Sequence, residues 1–425
     1  MKTRTILLSL LSMLTAPLAL SAQESLSIDL QTAVSNALQY NKQLQASAVD
    51  RDIYYQKVRE ARAAGLPQIN ATLSTDTYFG KKLSFGAGEM DITSTKLQAT
   101  ANWTFSMQQI AGVKLAKIVQ NLTDCSIAQT ELGVKANVTD TYYAILVYER
   151  NLEILRDNLA DMETIAKHTA YSFEAGAAER TDVDQMNVNV ATLKNSIFSL
   201  ERSLESTKRL LVLQMGVPIS TKITTTQKLD DLIGDGATNP DNEKLNIENN
   251  VDYKQLKLSR EVGEQTVKVR KYAYIPTLTG TYQFTHNLRG GGFMNFKNTA
   301  MLTLNIPVFS GFQRHSQLKQ AKLDVQKTDI NLALLEDNLQ QNLEQYSFEL
   351  QTAIDAYNLQ KENLEVAKRV LANYKNKYDQ GAFSSLALTQ ANSNYLQAES
   401  SYASASLDLL MAHTKLQKLC NSFNY

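Results

Sequence analysis

Helix breakers are scarce in this sequence: 425 residues hold six prolines and 17 glycines. Long stretches are therefore free to run as uninterrupted helix. Cysteine is nearly absent. Cys125 and Cys420 stand alone, too few for a disulfide framework. Beyond the first 22 residues there is no run of about 18 apolar residues, so no transmembrane helix is expected. Neither sign of charge is in excess. The 43 basic and 43 acidic residues cancel, and nothing basic points to nucleic acid. The four histidines, His168, His286, His315 and His413, are scattered without metal-ligand spacing. No Ser–His–Asp or Cys–His grouping is visible either. The sequence therefore reads as a protein that is not an enzyme, with neither cofactor nor metal.

Lys2 and Arg4 precede a mostly apolar stretch from Ile6 to Leu20, and Ala19-Leu20-Ser21-Ala22 supplies small residues for cleavage. Residues 1–22 read as a secretory signal peptide. No cysteine comes directly after it, so no lipid anchor is indicated. An exported chain without a membrane helix is soluble, surface-bound or a membrane β-barrel.

The chain also says nearly the same thing twice. Arg156-Asp157-Asn158-Leu159 lines up with Lys361-Glu362-Asn363-Leu364, and Phe173 and Gly176 line up with Tyr378 and Gly381. A repeat of about 200 residues is a duplicated half-molecule, not a solenoid unit. The first repeat spans 23–216, a linker or equatorial segment 217–246, and the second repeat 247–425. In the first, helices are expected near 30–64, 111–173 and 181–215, with strands near 68–79 and 95–106. In the second, helices are expected near 249–274, 312–380 and 384–421, with strands near 277–286 and 298–309. Each half thus reads helix, strand, strand, helix, helix.

The strand segments alternate strictly. Leu97, Ala99, Ala101, Trp103 and Phe105 interleave with Gln98, Thr100, Asn102 and Thr104. The long helices carry a heptad-like seam, Leu350, Ala353, Tyr357, Leu364, Ala367, Leu371, Tyr374 and Tyr378 among others, so they pack side by side along one axis. A helix of about 60 residues is roughly 90 Å long, more than a globular domain needs. Four strands cannot close alone, since small barrels need about eight, and their open edges invite aggregation. Several copies joined in one barrel remove both problems. Apolar residues then face lipid and Asn, Thr, Ser and Gln face the lumen. Trp103, Phe105, Tyr282, Phe284 and Phe309 are expected in the aromatic belts at the membrane interfaces. Gly290-Gly291-Gly292 reads as loop flexibility.

This order, written twice behind a signal peptide, resembles the TolC family of outer-membrane efflux channels. Leu30-Gln31-Thr32-Ala33 with Ala37-Leu38 and Asn41 is similar to the family's opening helix, and Leu66-Pro67 to its helix-to-strand junction. Phe173-Glu174-Ala175-Gly176 and Tyr378-Asp379-Gln380-Gly381 resemble its helix-tip turns. Thr181-Asp182-Val183 resembles the start of the family's helix after the first of these turns. The resemblance implies a membrane β-barrel above a long α-helical coiled-coil tunnel. It further implies a homotrimer with a twelve-stranded barrel in the outer membrane of a Gram-negative bacterium. Its partners would be outer-membrane lipid, a periplasmic adaptor (membrane fusion) protein and an inner-membrane pump, with no nucleic acid. The function implied is a passive exit duct for efflux or type I secretion, gated at its periplasmic helical tip. Gly176 and Gly381 would turn the tip, and Asp182 and Tyr378 would help lock it. The sequence departs from the family at Phe383, Ala387 and Gln390, where an Arg and two acids are expected. Arg180 and Asp184 are candidates to substitute.

A secreted or periplasmic coiled-coil adaptor or adhesin is the rival reading. It explains the heptads but not four two-faced strands in duplicate. Cell fractionation separates the two: the channel reading expects a heat-modifiable, detergent-extracted oligomer in the outer-membrane fraction, and a soluble protein would refute it.

Overall fold

The computed structural model describes residues 25–77, 82–85, 88–91, 94–233, 245–289, 296–380, 382 and 384–423. The expected signal peptide, Gly290–Gly292, Gly381 and Phe383 lie outside them. The first half holds β1 (Ser25–Ile28), α1 (Leu30–Tyr40), α2 (Lys42–Ala63), β2 (Gln68–Asp76), β3 (Lys82–Phe85), β4 (Gly88–Asp91), β5 (Ser94–Phe105), α3 (Met107–Glu174) and α4 (Arg180–Met215). After β6 (Lys222–Thr225) and α5 (Leu229–Leu232) come α6 (Val251–Tyr272), β7 (Thr277–Arg289), β8 (Asn298–Asn305), α7 (Gln313–Asp379) and α8 (Ser385–Cys420).

The two longest helices arise from composition and caps. Ser106, in extended backbone, accepts the Gln109 N–H at 3.1 Å and starts α3. No proline interrupts its 68 residues. α7 runs 67 residues. At the helical rise each is about 100 Å long.

β2, β5, β7 and β8 form one antiparallel sheet in the order β2-β5-β7-β8. Ala71 faces Ala99, which faces Phe284; Ala101 faces Tyr282, which faces Ala300. Because side chains alternate along a strand, this register gathers Ile69, Leu73, Leu97, Trp103, Leu278 and Leu302 on one face. The other collects Asn70, Thr100, Asn102, Thr281, Gln283 and Thr303, with Met301 as its apolar member. Each strand continues into a helix. α2, α3, α6 and α7 are neighbours in the order of their strands, with contacts α2–α3, α3–α6 and α6–α7. Towards the far end of α3 the order becomes α4-α3-α8-α7. Strand and helix walls thus stop at the same two sides.

Several boundaries differ from those expected. The helix expected over 30–64 is broken at Asn41, which adopts an extended ψ of 129°. Its side-chain oxygen accepts the N–H groups of Gln43 and Leu44, and its amide donates to Gln214 O at 2.7 Å. The second half repeats the device. Asn250 accepts the Tyr253 N–H and donates to Leu419 O at 3.0 Å, so α6 starts at Val251, not 249. The strand expected to reach 309 ends at Asn305, because Pro307 has no N–H to continue the ladder. The loop expected between β2 and β5 contains the β3–β4 hairpin. The segment 217–246 holds α5 and β6, which pairs in parallel with β1 across the middle of the molecule. Four-residue strands are too short to signal themselves by alternation.

The main core lies beneath this cross-brace. Tyr142, Val138 and Ile145 of α3 meet Leu211 and Met215 of α4, Leu410 of α8 and Ile28 of β1. The buried Tyr142 hydroxyl reaches Gln227 Oε1 at 3.1 Å, and burial pushes its phenol up. Two residues earlier on α3, desolvation raises the Asp140 carboxyl to about 6, against Thr414, Lys415 and Lys418 of α8.

Gly216 closes α4 at φ 71°, and a Cβ there would sit 1.9 Å from Tyr40 O. Gly176 closes α3 at φ 75° with nothing near an added Cβ. Gly176→Ala therefore costs only the left-handed backbone, about 1 kcal/mol. Gly216→Ala adds a backbone clash and should cost about 3 kcal/mol or more. Thermal unfolding of the two variants measures the difference.

Candidate functional site

The tip is made by two turns of the same design. α3 ends with Ala175, Gly176 takes the left-handed conformation, and the Ala177 N–H donates to Ser172 O at 2.7 Å. At the end of α7 the Ala382 N–H donates to Lys377 O at 2.9 Å, a bond of the same span. Both are the six-to-one bond of a Schellman cap, which needs a residue free to adopt positive φ.

Asp182 sits in the first turn of α4. One carboxylate oxygen accepts the Glu179 N–H at 3.2 Å, fixing the helix start. The other accepts the Ser385 hydroxyl at 2.5 Å. Ser385 opens α8, so one side chain both caps its helix and ties the α3–α4 hairpin to the α7–α8 hairpin. Tyr378 makes the second tie. Thr169 Oγ1 gives its hydrogen to Ile165 O, so the Tyr378 hydroxyl donates to Thr169 Oγ1, at 2.6 Å. Asn189 donates to Thr389 at 3.0 Å, and Lys375 pairs with Asp161 at 2.6 Å. Behind them Met162, Ile165, Met186, Leu193 and Leu388 form a small core. Deeper in the shaft, Asn158 of α3 and Asn392 of α8 are buried and exchange two amide bonds, at 2.5 and 3.0 Å.

Asp182 and Tyr378 are thus both tip residues that join the hairpins. Within one chain they do so through Ser385 and Thr169 rather than through each other. Arg180 and Asp184 pair with each other at 3.4 Å on the exposed side of α4, and the Arg180 guanidinium lies 5.9 Å from the Phe173 ring centre. Ser385, Thr169, Asn158 and Asn392 are not singled out by sequence. A Ser or Thr in a helix carries no sign of its partner, and Asn158 stands beside Leu159 as any exposed Asn could.

The aromatics of the sheet fall into two sets. Trp103 and Phe105 close β5 where it enters α3, with ring centres 6.2 Å apart. The Trp103 indole N–H donates to Gly65 O at 2.9 Å, at the α2–β2 junction. Tyr282 and Phe284 stand opposite Ala101 and Ala99, midway along the sheet. Tyr282 donates to Asn298 at 2.9 Å. Phe309 lies past β8, exposed, edge-on to Phe312 at 5.8 Å. Among the described residues no cluster of three potential metal ligands occurs, and no helix is long and apolar enough to cross a membrane.

Comparison with known proteins gives a consistent result. Residues 33–217 and 244–422 match the profile of the outer membrane efflux protein family. The chain is 21% identical over 407 residues to the outer membrane protein TolC of Vibrio cholerae, covering 90% of this chain and 88% of the relative. Against TolC of Escherichia coli identity is also 21%, covering 96% and 85%. The solved structure of CusC superposes with a TM-score of 0.75 at 14% identity, covering 93% of this chain and 92% of that one. That fold is a helical tunnel joined to a barrel.

The two candidate ties at the tip differ in weight. Arg180→Ala removes an exposed ion pair and should change stability by less than about 0.5 kcal/mol. Asp182→Ala removes a helix cap and an inter-hairpin bond together, and should cost about 1–2 kcal/mol. Denaturant titration of both variants tests the ranking, and equal effects would reject it.

Proposed function

The chain belongs to the outer membrane efflux protein family, and on that premise we propose that it is the exit duct of a tripartite efflux or type I secretion system, gated at its helical tip. It is an outer-membrane protein of the Gram-negative type, with a large periplasmic helical part. It works as a conduit, and an inner-membrane pump reached through a periplasmic adaptor supplies the energy.

The observation that carries this reading is the shared pair of open edges. Among the described residues β2 and β8 have no strand on their outer sides, in a sheet with one hydrocarbon face. Inside a bilayer each unpaired group costs several kcal/mol. The edge helices also present apolar residues to solvent. Val49 and Ile53 of α2, Phe198 of α4, and Ile330, Phe348 and Leu359 of α7 are exposed apolar residues. A second copy set edge to edge satisfies strands and helices together, and a ring of copies leaves no edge. Three copies, the number the family resemblance implies, give twelve strands and twelve wall helices. The polar face of Asn, Thr and Gln then lines the bore. The apolar face meets lipid, with Trp103 and Phe105 at its periplasmic rim. Tyr282 and Phe284, at mid-sheet, face the hydrocarbon rather than a rim.

At the tip, the ties Asp182–Ser385 and Tyr378–Thr169 hold the hairpins of one chain together and favour the closed state. Each is a partly exposed hydrogen bond, worth about 1 kcal/mol net and up to about 3 where the carboxylate is involved. Several such ties around a ring hold a gate shut yet remain within reach of a docking partner. Arg180 and Asp184, bonded to each other on one helix, add nothing across the hairpins of a single chain.

Reconstitution in planar bilayers tests the proposal. Wild-type protein should form an oligomeric channel of low conductance, and Tyr378→Phe or Asp182→Ala should raise it severalfold. Unchanged conductance would sink the gate, and a detergent-free monomer with no conductance would sink the duct.

A further inference from the structure

The helical shaft is not uniform along its length, and the change falls at one layer. Above it, Leu152, Ile197 and Leu204 belong to the main core, and Leu364 and Tyr402 to the core of the α7–α8 hairpin. Below it, Met162, Ile165, Met186, Leu193 and Leu388 form a second cluster, joined to the main core among the described residues only through the half-buried Leu155 and Leu159. Between the two lies the buried amide pair Asn158–Asn392, bonded in both directions. Leu388 of α8 packs from the second hairpin into this cluster, and the polar ties beside it, Asp161–Lys375, Thr169–Tyr378, Asn189–Thr389 and Asp182–Ser385, are exposed or only part-buried. Water replaces such bonds at little cost.

We propose that the Asn158–Asn392 pair is the fulcrum of the shaft: below it the α3–α4 and α7–α8 hairpins tilt apart when the gate opens, while the pair holds α3 and α8 in register above. The inference rests on the reading of the tip as a gate. Two amides facing each other in a buried seam satisfy one another in a single register, and sliding by one residue would leave their donors and acceptors unmatched in a low-dielectric layer. Small rotations about the pair keep both bonds, so it resists sliding and tolerates tilting. The cluster below suits a moving part. Met162 and Met186 have flexible, unbranched side chains that repack with little strain. The duplication sharpens the point. Asn363, the counterpart of Asn158 in the second half, is exposed and bonds to Gln360 on its own helix. The buried pair therefore belongs to the α3–α8 junction and is not a relic of the repeat.

The test uses the full-length oligomer with Cys125→Ser and Cys420→Ser, spin-labelled at two pairs of exposed positions. Glu153 and Ser400 lie above the pair, and Lys167 and Asn376 below it. Distances are measured with the tip ties intact and with Tyr378→Phe and Asp182→Ala combined. The lower distance should change by about a helical turn, roughly 5 Å, and the upper one should stay fixed. In an Asn158→Leu, Asn392→Leu background, which keeps the branched four-atom side-chain shape and removes the bonds, the displacement should spread to the upper pair. Equal displacement above and below with the asparagines intact would overturn the fulcrum. So would a folded double-leucine channel whose upper distance stays fixed. No displacement at either level with unchanged conductance rejects the gate itself, and the fulcrum with it. If the leucine variant fails to assemble, the native-asparagine measurement decides alone.

Discussion

A four-stranded sheet with a hydrocarbon face and two open edges is the constraint that governs the whole molecule. In water such a face must be covered, and in lipid such edges must be paired. Among the described residues no second sheet covers it. The helices continue the strands instead of folding back over them. Because each helix inherits the position of its strand, the order β2-β5-β7-β8 becomes α2-α3-α6-α7, and the incompleteness of the sheet passes down into the shaft. On the proposed reading one requirement, closure by further copies, serves both parts.

The duplication shows which features the architecture demands and which the halves were free to vary. Asn41 and Asn250 each break a helix and brace it to the end of another, on Gln214 and Leu419. Gly216 and Asn421, next in line, both take left-handed backbone. Gly216 does so packed against the Tyr40 carbonyl, where no side chain fits. Asn421 has room for its amide, which reaches Asn249 O at 3.5 Å. Both halves thus turn the same mid-shaft corner with an asparagine brace and a left-handed residue. The tip is different. Its ties, Asp182 to Ser385 and Thr169 to Tyr378, run between the halves and have no symmetric copies, so each hairpin carries its own partner set.

Polar groups sit in this molecule according to what each must do. The Asn158–Asn392 pair is buried and reciprocal, which gives it one permitted register. The tip bonds are wet, and each is weak enough to exchange with solvent. Asp140, deeper in the core, keeps a carboxyl near 6 because burial outweighs Thr414 and two nearby lysines. The bonds at mid-shaft are therefore buried and those at the tip exposed or part-buried, the distribution that the proposed gate requires.

Element types, their order and the duplication were legible in the chain before it folded. Those features are local: period-two alternation in residues 94–105, heptad spacing with no proline through α3 and α7, and glycine where α3 turns back. The two faces of each strand were legible as well, since Cβ direction is fixed by strand geometry alone. What the polar residues do was settled by folding. Asp182 reads as a tip residue in the sequence, but its partner Ser385 lies some 200 positions away. Asn158 and Asn363 are the same letter in the same repeat, yet one is buried against α8 and the other faces solvent. The short strands β1 and β6 were likewise invisible, because four residues bear no period and their pairing spans almost half the chain. Local geometry is written in neighbouring residues. Partnership is written only when the chain folds back on itself.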